Sequence, residues 1–315
     1  MKKYVCLLSC MLVSFFSGYA QKITFTPQWT PQSQFAGYYV ALEKGFYTEV
    51  GLDVSFVHPT NSYNSMNMLT DGTSDIITAE LIHAMMTVDK GTKLINLLQT
   101  TQHSTLVLLA HNRGITQMSD LAGARIGTWK MGFSEIPQMI NQGENLGFEW
   151  VQSMLPLNIY ISGAVDAALA KSYNELLLFY MAGVTPGSLL KFSEMGYDFP
   201  EDGLYVSEKF FNQHPEACRK FAQASRRGWE WARAHRAEAL DIVMKYVKSE
   251  KVPTNVHIQK WMLEAVLEAQ EDFTGGAPSF TLNIDAFNRL NDELLKYGFI
   301  SKPIIYNTFI GGDAQ

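Results

Sequence analysis

Two tryptophans that each follow a predicted strand could hold a flat molecule between them. Trp29 comes at the end of the first predicted strand, and Trp129 ends a strand in the second half of the chain. An indole at a strand end presents an apolar face on which a planar ring can stack. Gly37 and Tyr38 follow in the first turn of the next helix, where glycine lets a ligand or another backbone approach closely. We predict ligand contacts for all four residues, with packing of Trp29 and Tyr38 in the core as the alternative.

Polar residues near the predicted strand ends could hydrogen-bond the edge of such a ring. Tyr173, Asn174 and Glu175 follow a strand of the second half, and an Asn-Glu pair offers donors and acceptors to amino groups and ring nitrogens. Asparagine is also common in exposed turns, so that alternative stays open. Gln34 begins the first predicted helix. Gln102 lies where the chain crosses between its two halves, and it could line the cleft floor or belong to the hinge surface. We predict all five as ligand contacts.

The turn after Trp129 could bind an anion. Gly132 allows close approach, and backbone N–H groups at the start of the following helix attract negative charge. Ser134 could contribute its hydroxyl to that ligand, or it could be the N-cap of an ordinary helix. Both residues are therefore candidates for the site.

These residues must be positioned by alternating strands and helices. Strand and helix patterns alternate from residue 22 to 98, restart at 106 and continue to 206, and the chain is mostly helical from 215 onwards. This alternation predicts the α/β class, with two doubly wound lobes of parallel sheet covered by helices and a helical C-terminal tail. Ligands of open α/β sheets bind beyond the carboxyl ends of the strands, which predicts a central cleft that closes like a hinge.

The composition excludes several classes of protein. The 315 residues are 47% hydrophobic and carry a formal net charge of −6, which argues against a nucleic-acid binder held by electrostatics. Three cysteines are too few for a disulfide scaffold. The sequence has no paired histidine spacing for zinc and no nucleophile elbow, so we predict neither a metal site nor a catalytic residue.

The first twenty residues resemble an export signal. Lys2 and Lys3 precede an apolar run over 4–16, and small residues at 18 and 20 suit cleavage near Ala20-Gln21. A membrane anchor is the alternative, although the run is shorter than a bilayer span of about 20 residues. Leu7-Leu8-Ser9-Cys10 also resembles a lipobox, so a lipoprotein anchored through Cys10 is a second alternative. Cleavage would leave 23 basic and 31 acidic residues, a net charge of −8, with Cys218 as the remaining cysteine.

Several segments resemble the NMT1/THI5-like (SsuA/THI5-like) family. They are residues 34–54, His58-Pro59-Thr60, residues 71–75 and residues 120–127, and the similarity extends over roughly residues 22 to 250. The resemblance implies the two-lobed type II periplasmic-binding-protein fold and a solute receptor for an importer of thiamine pyrimidine precursors. We expect a signal peptide at 1–20, a discontinuous first lobe at 21–104 plus 205–315, and a second lobe at 105–204.

The family also includes fungal enzymes that make the thiamine pyrimidine, and three positions bear on that branch. His83 matches the histidine that the enzyme consumes, but the position of its cofactor-binding lysine is Ala79 here. The segment 199–204 lacks the cysteines of the enzyme's iron-binding run. The turn at Gly132 matches one that holds a phosphate in the enzyme. His83 is then either a structural residue or a hydrogen-bond partner of a heteroaromatic ligand.

The alternation and the export signal, taken with what the resemblance implies, predict an extracytoplasmic, monomeric solute-binding protein of an ABC importer, without a cofactor. Its predicted ligand is a small planar heterocycle of the hydroxymethylpyrimidine or formylaminopyrimidine type. Its predicted partner is a membrane permease, and no nucleic acid is involved. A ligand-sensing module for a membrane signalling protein and a pyrimidine-synthase-like enzyme are the alternatives.

Overall fold

The computed structural model describes residues 20–60, 62–130 and 132–310. The predicted signal segment before Ala20, including Cys10, lies outside the described residues. Among the described residues, no helix combines the length and apolar character that a membrane crossing requires.

Ten strands and thirteen α-helices are found in the described part of the chain, together with 3-10 turns at 33–35, 118–121 and 192–195. The first group comprises β1 Gln21–Thr26, α1 Ala36–Glu43, α2 Phe46–Glu49, β2 Leu52–Phe56, α3 Ser65–Thr70, β3 Ile76–Glu80, α4 Leu81–Asp89 and β4 Leu94–Gln99. The second comprises β5 Leu106–Ala110, β6 Arg125–Trp129, α5 Glu135–Glu144, β7 Glu149–Ser153, α6 Pro156–Ile161, β8 Ala167–Lys171, α7 Glu175–Met181 and β9 Ser188–Lys191. The last comprises β10 Asp202–Ser207, α8 Glu208–Gln213, α9 Pro215–Ala234, α10 Arg236–Ser249, α11 Val256–Ala269, α12 Ile284–Lys296 and α13 Tyr306–Phe309.

The strands form two five-stranded sheets, in the orders β2-β1-β3-β10-β4 and β7-β6-β8-β5-β9. The predicted α/β architecture of two covered sheets is confirmed, but the expectation of parallel sheets is wrong. In the first sheet β10 runs antiparallel to β3 and β4, and in the second β5 runs antiparallel to β8 and β9. A parallel neighbour needs a crossover, usually helical, whereas β10 enters the first sheet directly from the second.

The strands that the pattern does not predict are edge strands of the second sheet. β7 is only partly buried along its length, so it lacks a clear period of two in hydrophobicity. β9 has four residues, of which one is buried. The helix α3 begins at Ser65, because the side chain of Asn64 caps it by accepting a hydrogen bond from Asn67 N at 2.9 Å.

The helices after β10 pack on the first group of elements. α9 and α10 lie against α1, and α11 lies against the turn at 33–35. Cys218 is fully buried in α9, and burial raises the pKa of its thiol to about 12, as expected for a small core residue.

Two glycines let α1 and α9 cross in direct contact. A Cβ on Gly37 would lie 2.2 Å from the indole ring of Trp229, and a Cβ on Gly228 would lie 2.1 Å from the carbonyl oxygen of Gly37. Trp229 is fully buried at this crossing. The close approach that Gly37 permits is therefore that of a packed helix.

Gly37→Ala should lower the free energy of unfolding by about 1–3 kcal/mol, because the added methyl overpacks the crossing. Urea unfolding followed by circular dichroism measures this difference. Gln223→Ala, on the exposed face of α9, is the control and should change stability by less than about 0.5 kcal/mol. Equal stability of Gly37→Ala and the wild type would contradict the crossing described here.

Candidate functional site

A cavity of about 320 Å³ lies between the two sheets, at the carboxyl ends of β1, β3, β6 and β8. This volume is near the lower end of the range for small-molecule sites. Its wall takes residues from both sheets, which matches the cleft that the alternation predicts. The lining residues are Gln28, Trp29, Thr30, Gln32, Pro59, Thr60, Asn64, Glu80, Trp129, Lys130, Phe133, Met154, Lys171, Tyr173, Asn174 and Glu175.

Aromatic rings from both sheets face this cavity. Trp29 follows β1, Trp129 ends β6, and both are half-buried. The ring of Phe133 lies near both, with its centroid 5.7 Å from that of Trp29 and 5.8 Å from that of Trp129. The sequence analysis selected both tryptophans but missed Phe133, whose position beside Gly132 in the same turn was the available signal.

The turn after β8 contributes the polar part of the wall. The Glu175 carboxylate accepts hydrogen bonds from Lys171 N at 3.0 Å and from Asn174 Nδ2 at 3.2 Å. Burial raises the pKa of Glu175 above its usual value. Tyr173 is buried beside them, and burial raises the pKa of its phenol. The structure thus brings together all three predicted residues of this turn.

A buried ion cluster that the sequence analysis missed forms the floor. Lys171 Nζ lies 2.8 Å from Glu80 Oε1 and 3.0 Å from Glu201 Oε1. Burial alone would lower the pKa of Lys171, but the two carboxylates outweigh it and raise that pKa. For Glu80, burial raises the pKa more than the lysine lowers it. The lysine from the second sheet therefore stays charged between carboxylates of the first sheet and of the segment before β10.

Asp202 lies beneath the cavity with both oxygens occupied. It accepts hydrogen bonds from Gln28 Nε2 at 2.8 Å and from Gln34 Nε2 at 2.6 Å. Burial, reinforced by the nearby Glu80 charge, raises its carboxyl pKa to about 7. Gln34 is 2% exposed and absent from the cavity wall, so its amide supports the floor.

Three other predicted contacts also lie away from the cavity wall. The Tyr38 hydroxyl pairs with Thr100 Oγ1 at 2.7 Å, and its ring packs on Trp229, which matches the core alternative. Gly37 lies in the helix crossing described above. Gln102 is buried, and its Nε2 donates to Thr281 O at 3.1 Å and to a second carbonyl in the crossing segment, so it lies in the connection between the sheets.

His83 and the turn at Gly132 adjoin the cavity behind Phe133. His83 Nε2, in the first turn of α4, lies 3.2 Å from Glu135 Oε1 of α5. Burial lowers the pKa of His83, but the hydrogen bond and charge of Glu135 outweigh it, so the pKa is raised. Gly132, with a φ of 109°, lies close to the imidazole. Ser134 occupies the N-cap position, but its hydroxyl accepts from Gln138 Nε2 at 2.7 Å instead of capping the helix backbone.

A smaller cavity of about 40 Å³ lies on the other side of Phe133. Glu80, Phe133 and Lys171 line both cavities. Glu135, Glu201 and apolar side chains such as Leu106 also line the smaller one.

Comparison with known proteins gives a family match and a fold match. A family model described as "NMT1/THI5 like" matches residues 32–239. The chain is similar to the riboflavin-binding protein RibY of Chloroflexus aurantiacus, with 23% identity over 90% of this chain and 83% of that protein. It is also similar to the formylaminopyrimidine-binding protein of Halalkalibacterium halodurans, with 21% identity over 88% and 86% of the two chains. A third relative is the 4-amino-5-hydroxymethyl-2-methylpyrimidine phosphate synthase THI5 of Saccharomyces cerevisiae, with 24% identity over 69% of each chain.

Solved structures of binding proteins share the fold. The periplasmic aliphatic sulphonate binding protein SsuA of Escherichia coli superposes with a TM-score of 0.64 at 13% identity, covering 92% of this chain and 99% of that one. The ligand-binding component of an ABC-type import system from Staphylococcus aureus gives a TM-score of 0.63 at 11% identity, covering 92% and 96%. These likenesses confirm the predicted type II periplasmic-binding-protein fold.

The stability of the protein should depend on pH through Asp202. Because its pKa is about 7 when folded and 3.8 for an exposed aspartate, the folded state holds the proton more tightly between these values. The free energy of unfolding therefore falls as pH rises across this window, by at most about 1.4 kcal/mol per pH unit from this group. Asp202→Asn should flatten that slope and should gain stability relative to the wild type as pH rises from 4 to 8.

Urea unfolding at each pH measures this effect. Asp53→Asn, on the exposed edge strand β2, is the control and should keep the wild-type profile. Parallel profiles for Asp202→Asn and the wild type would show that Asp202 does not hold its proton in the folded state.

Proposed function

The chain belongs to the NMT1/THI5-like family, and on that premise we propose that it is a solute-binding protein that takes up an aminopyrimidine of the hydroxymethylpyrimidine or formylaminopyrimidine type. The observation that carries this proposal is a cleft with Trp29 and Trp129 on its two sides and the Asn174-Glu175 pair at its edge. The name of one relative, the formylaminopyrimidine-binding protein, supports the same ligand class.

The aromatic walls suit a flat ring. A heteroaromatic ligand in the cavity would meet the indole of Trp29, which follows β1, and the indole of Trp129, which ends β6. Because these rings come one from each sheet, binding favours the arrangement in which the sheets are close. The ligand would thus hold the two lobes together, which is how a hinge-closing receptor retains its solute. The lobe boundaries are part of this proposal: the first lies at 104/105, and the second, expected at 204/205, is placed before β10, because all of Asp202–Ser207 pairs in the first sheet.

The polar edge suits a ring with hydrogen-bond donors. The Glu175 carboxylate would accept a hydrogen bond from an exocyclic amino group, and the Asn174 amide would donate one to a ring nitrogen or accept one from a hydroxyl. Among the described residues that line the cavity, the basic side chains are Lys130 and Lys171, and Lys171 already pairs with two carboxylates. Because one of these two lysines is already paired, the charge of the cavity wall favours a neutral or cationic ligand over a sulfonate or phosphate.

The binding role is preferred to the synthase role on chemical grounds. Ala79, at the position implied for the cofactor lysine, is buried in β3 and has no amine for a Schiff base. His83, which matches the histidine that the enzymes consume, is paired with Glu135. We propose no catalytic residue and no cofactor for this chain.

The cellular setting follows from the same assignment. We propose that the chain is exported by the segment that ends near Ala20, works as a monomer outside the cytoplasm, and delivers its ligand to the permease of an ABC importer. The S. aureus likeness, a ligand-binding component of an ABC-type import system, supports this partner class.

Calorimetric titration with 4-amino-5-hydroxymethyl-2-methylpyrimidine and its formylamino relative tests the ligand class. We expect saturable binding of one of them, with affinity reduced about 10- to 100-fold in Glu175→Gln, because a hydrogen bond to a charged acceptor is lost. Glu149→Gln, on the exposed edge strand β7, is the matched control and should bind like the wild type.

The absence of heat and of any thermal shift with both compounds would remove the aminopyrimidine assignment. Unchanged affinity in Glu175→Gln would instead show that the ligand does not contact this carboxylate.

A further inference from the structure

Phe133 divides the space between the two sheets into two compartments. Its side chain lines both the 320 Å³ cavity and the 40 Å³ cavity, and Glu80 and Lys171 also border both. We infer that Phe133 is a specificity-determining partition, which limits the site to single-ring heterocycles and excludes fused ring systems. The single-ring part of this inference rests on the proposed function.

Side chains from both sheets hold the partition in place. The ring centroid of Phe133 lies 5.7 Å from that of Trp29, 5.8 Å from that of Trp129 and 5.1 Å from that of His83. Lys171 Nζ lies 5.7 Å from the same centroid. The ring is thus surrounded by aromatic groups and one cation, so it is fixed by packing and has little freedom to rotate out of the cleft.

The backbone at Phe133 indicates that this placement is costly. Its φ of +68° is in the left-handed region, which a bulky residue rarely adopts, and it follows Gly132 at +109°. Such a conformation persists only where the surroundings enforce it, and it is concentrated at functional sites. A glycine would adopt this turn without strain, so the phenyl ring must contribute through its contacts in the cleft.

The partition has a direct consequence for ligand size. A pyrimidine ring stacked on Trp29 or Trp129 would meet the face or edge of Phe133 and stop there. A tricyclic ring system, such as the isoalloxazine of riboflavin, is longer than a pyrimidine, so in the same stacked position its far ring would overlap the phenyl ring. The riboflavin-binding relative therefore marks the ligand class that this inference excludes for this chain.

The test compares two probes on the wild type, Phe133→Ala and Phe133→Gly. The probes are 4-amino-5-hydroxymethyl-2-methylpyrimidine and lumichrome, a neutral compound of three fused rings whose own fluorescence reports binding. We expect the wild type to bind the pyrimidine and not lumichrome, whereas both variants acquire saturable lumichrome binding. Pyrimidine affinity should fall about 2- to 12-fold in the variants, through loss of one aromatic contact.

Phe133→Gly accepts the positive φ without strain and guards against a folding defect in Phe133→Ala. Phe210→Ala, at a half-buried phenylalanine of α8, is the matched control and should not gain lumichrome binding. Thermal melting and far-ultraviolet circular dichroism check that each variant is folded.

The outcomes separate this inference from the proposed function. Lumichrome binding that is equally tight in the wild type, or absent from both variants, overturns the partition, whatever the pyrimidine does. If the variants gain lumichrome while the wild type ignores both aminopyrimidines, the partition stands and the proposed ligand falls. If the wild type binds the pyrimidine and the variants gain nothing, the proposed ligand stands and the partition falls.

Discussion

The arrangement of the cleft depends on one buried cation. Lys171, at the end of β8, contacts Glu80 at the end of β3 and Glu201 just before β10. Breaking a buried ion pair by removing one partner leaves an unpaired charge, at a cost of about 3–5 kcal/mol. The cluster therefore joins the two sheets in this arrangement at the point where their carboxyl ends face each other, and Glu80 and Lys171 form part of the cavity wall.

The same cluster is continuous with the two segments that cross between the sheets. Glu201 accepts hydrogen bonds from Ser104 Oγ and from Thr105 N, which lie in the segment that runs from the first sheet to the second. Asp202, next in the chain, accepts at its backbone oxygen from Thr100 N and Thr101 N. The two segments that connect the sheets are thus hydrogen-bonded to each other beside the floor of the site, so the sheets are joined by a paired connection.

Residues at strand ends could be predicted from the sequence, and residues placed by strand order could not. Trp29, Trp129 and the Asn174-Glu175 pair follow strands with clear patterns, and the carboxyl end of a strand is where a ligand binds in this class. Glu80 and Lys171 also lie at strand ends, but which charges meet there depends on how the two sheets face each other and on the entry of β10 beside β3, with Glu201 just before it. Neither leaves a mark in the hydrophobic period.

The misplaced residues have a related cause. Gln34 and Tyr38 are near Trp29 in sequence, but the turn at 33–35 and the start of α1 direct them into the core. In that position Gln34 contacts Asp202, and Tyr38 packs against Trp229, a residue of a helix almost two hundred positions later. Local sequence could identify this segment as close to the site, but it could not say which side chains face the cavity.

The position of β10 also bears on how the chain acquires its structure during synthesis. This strand lies between β3 and β4, so the edges of those two strands that face it stay unpaired until the ribosome has made the residues from 202 onwards. Unpaired strand edges are templates for association with other chains, and pairing between distant segments is slow. The first sheet is therefore completed only after the whole second sheet has been made, and no N-terminal fragment that ends before β10 contains it intact.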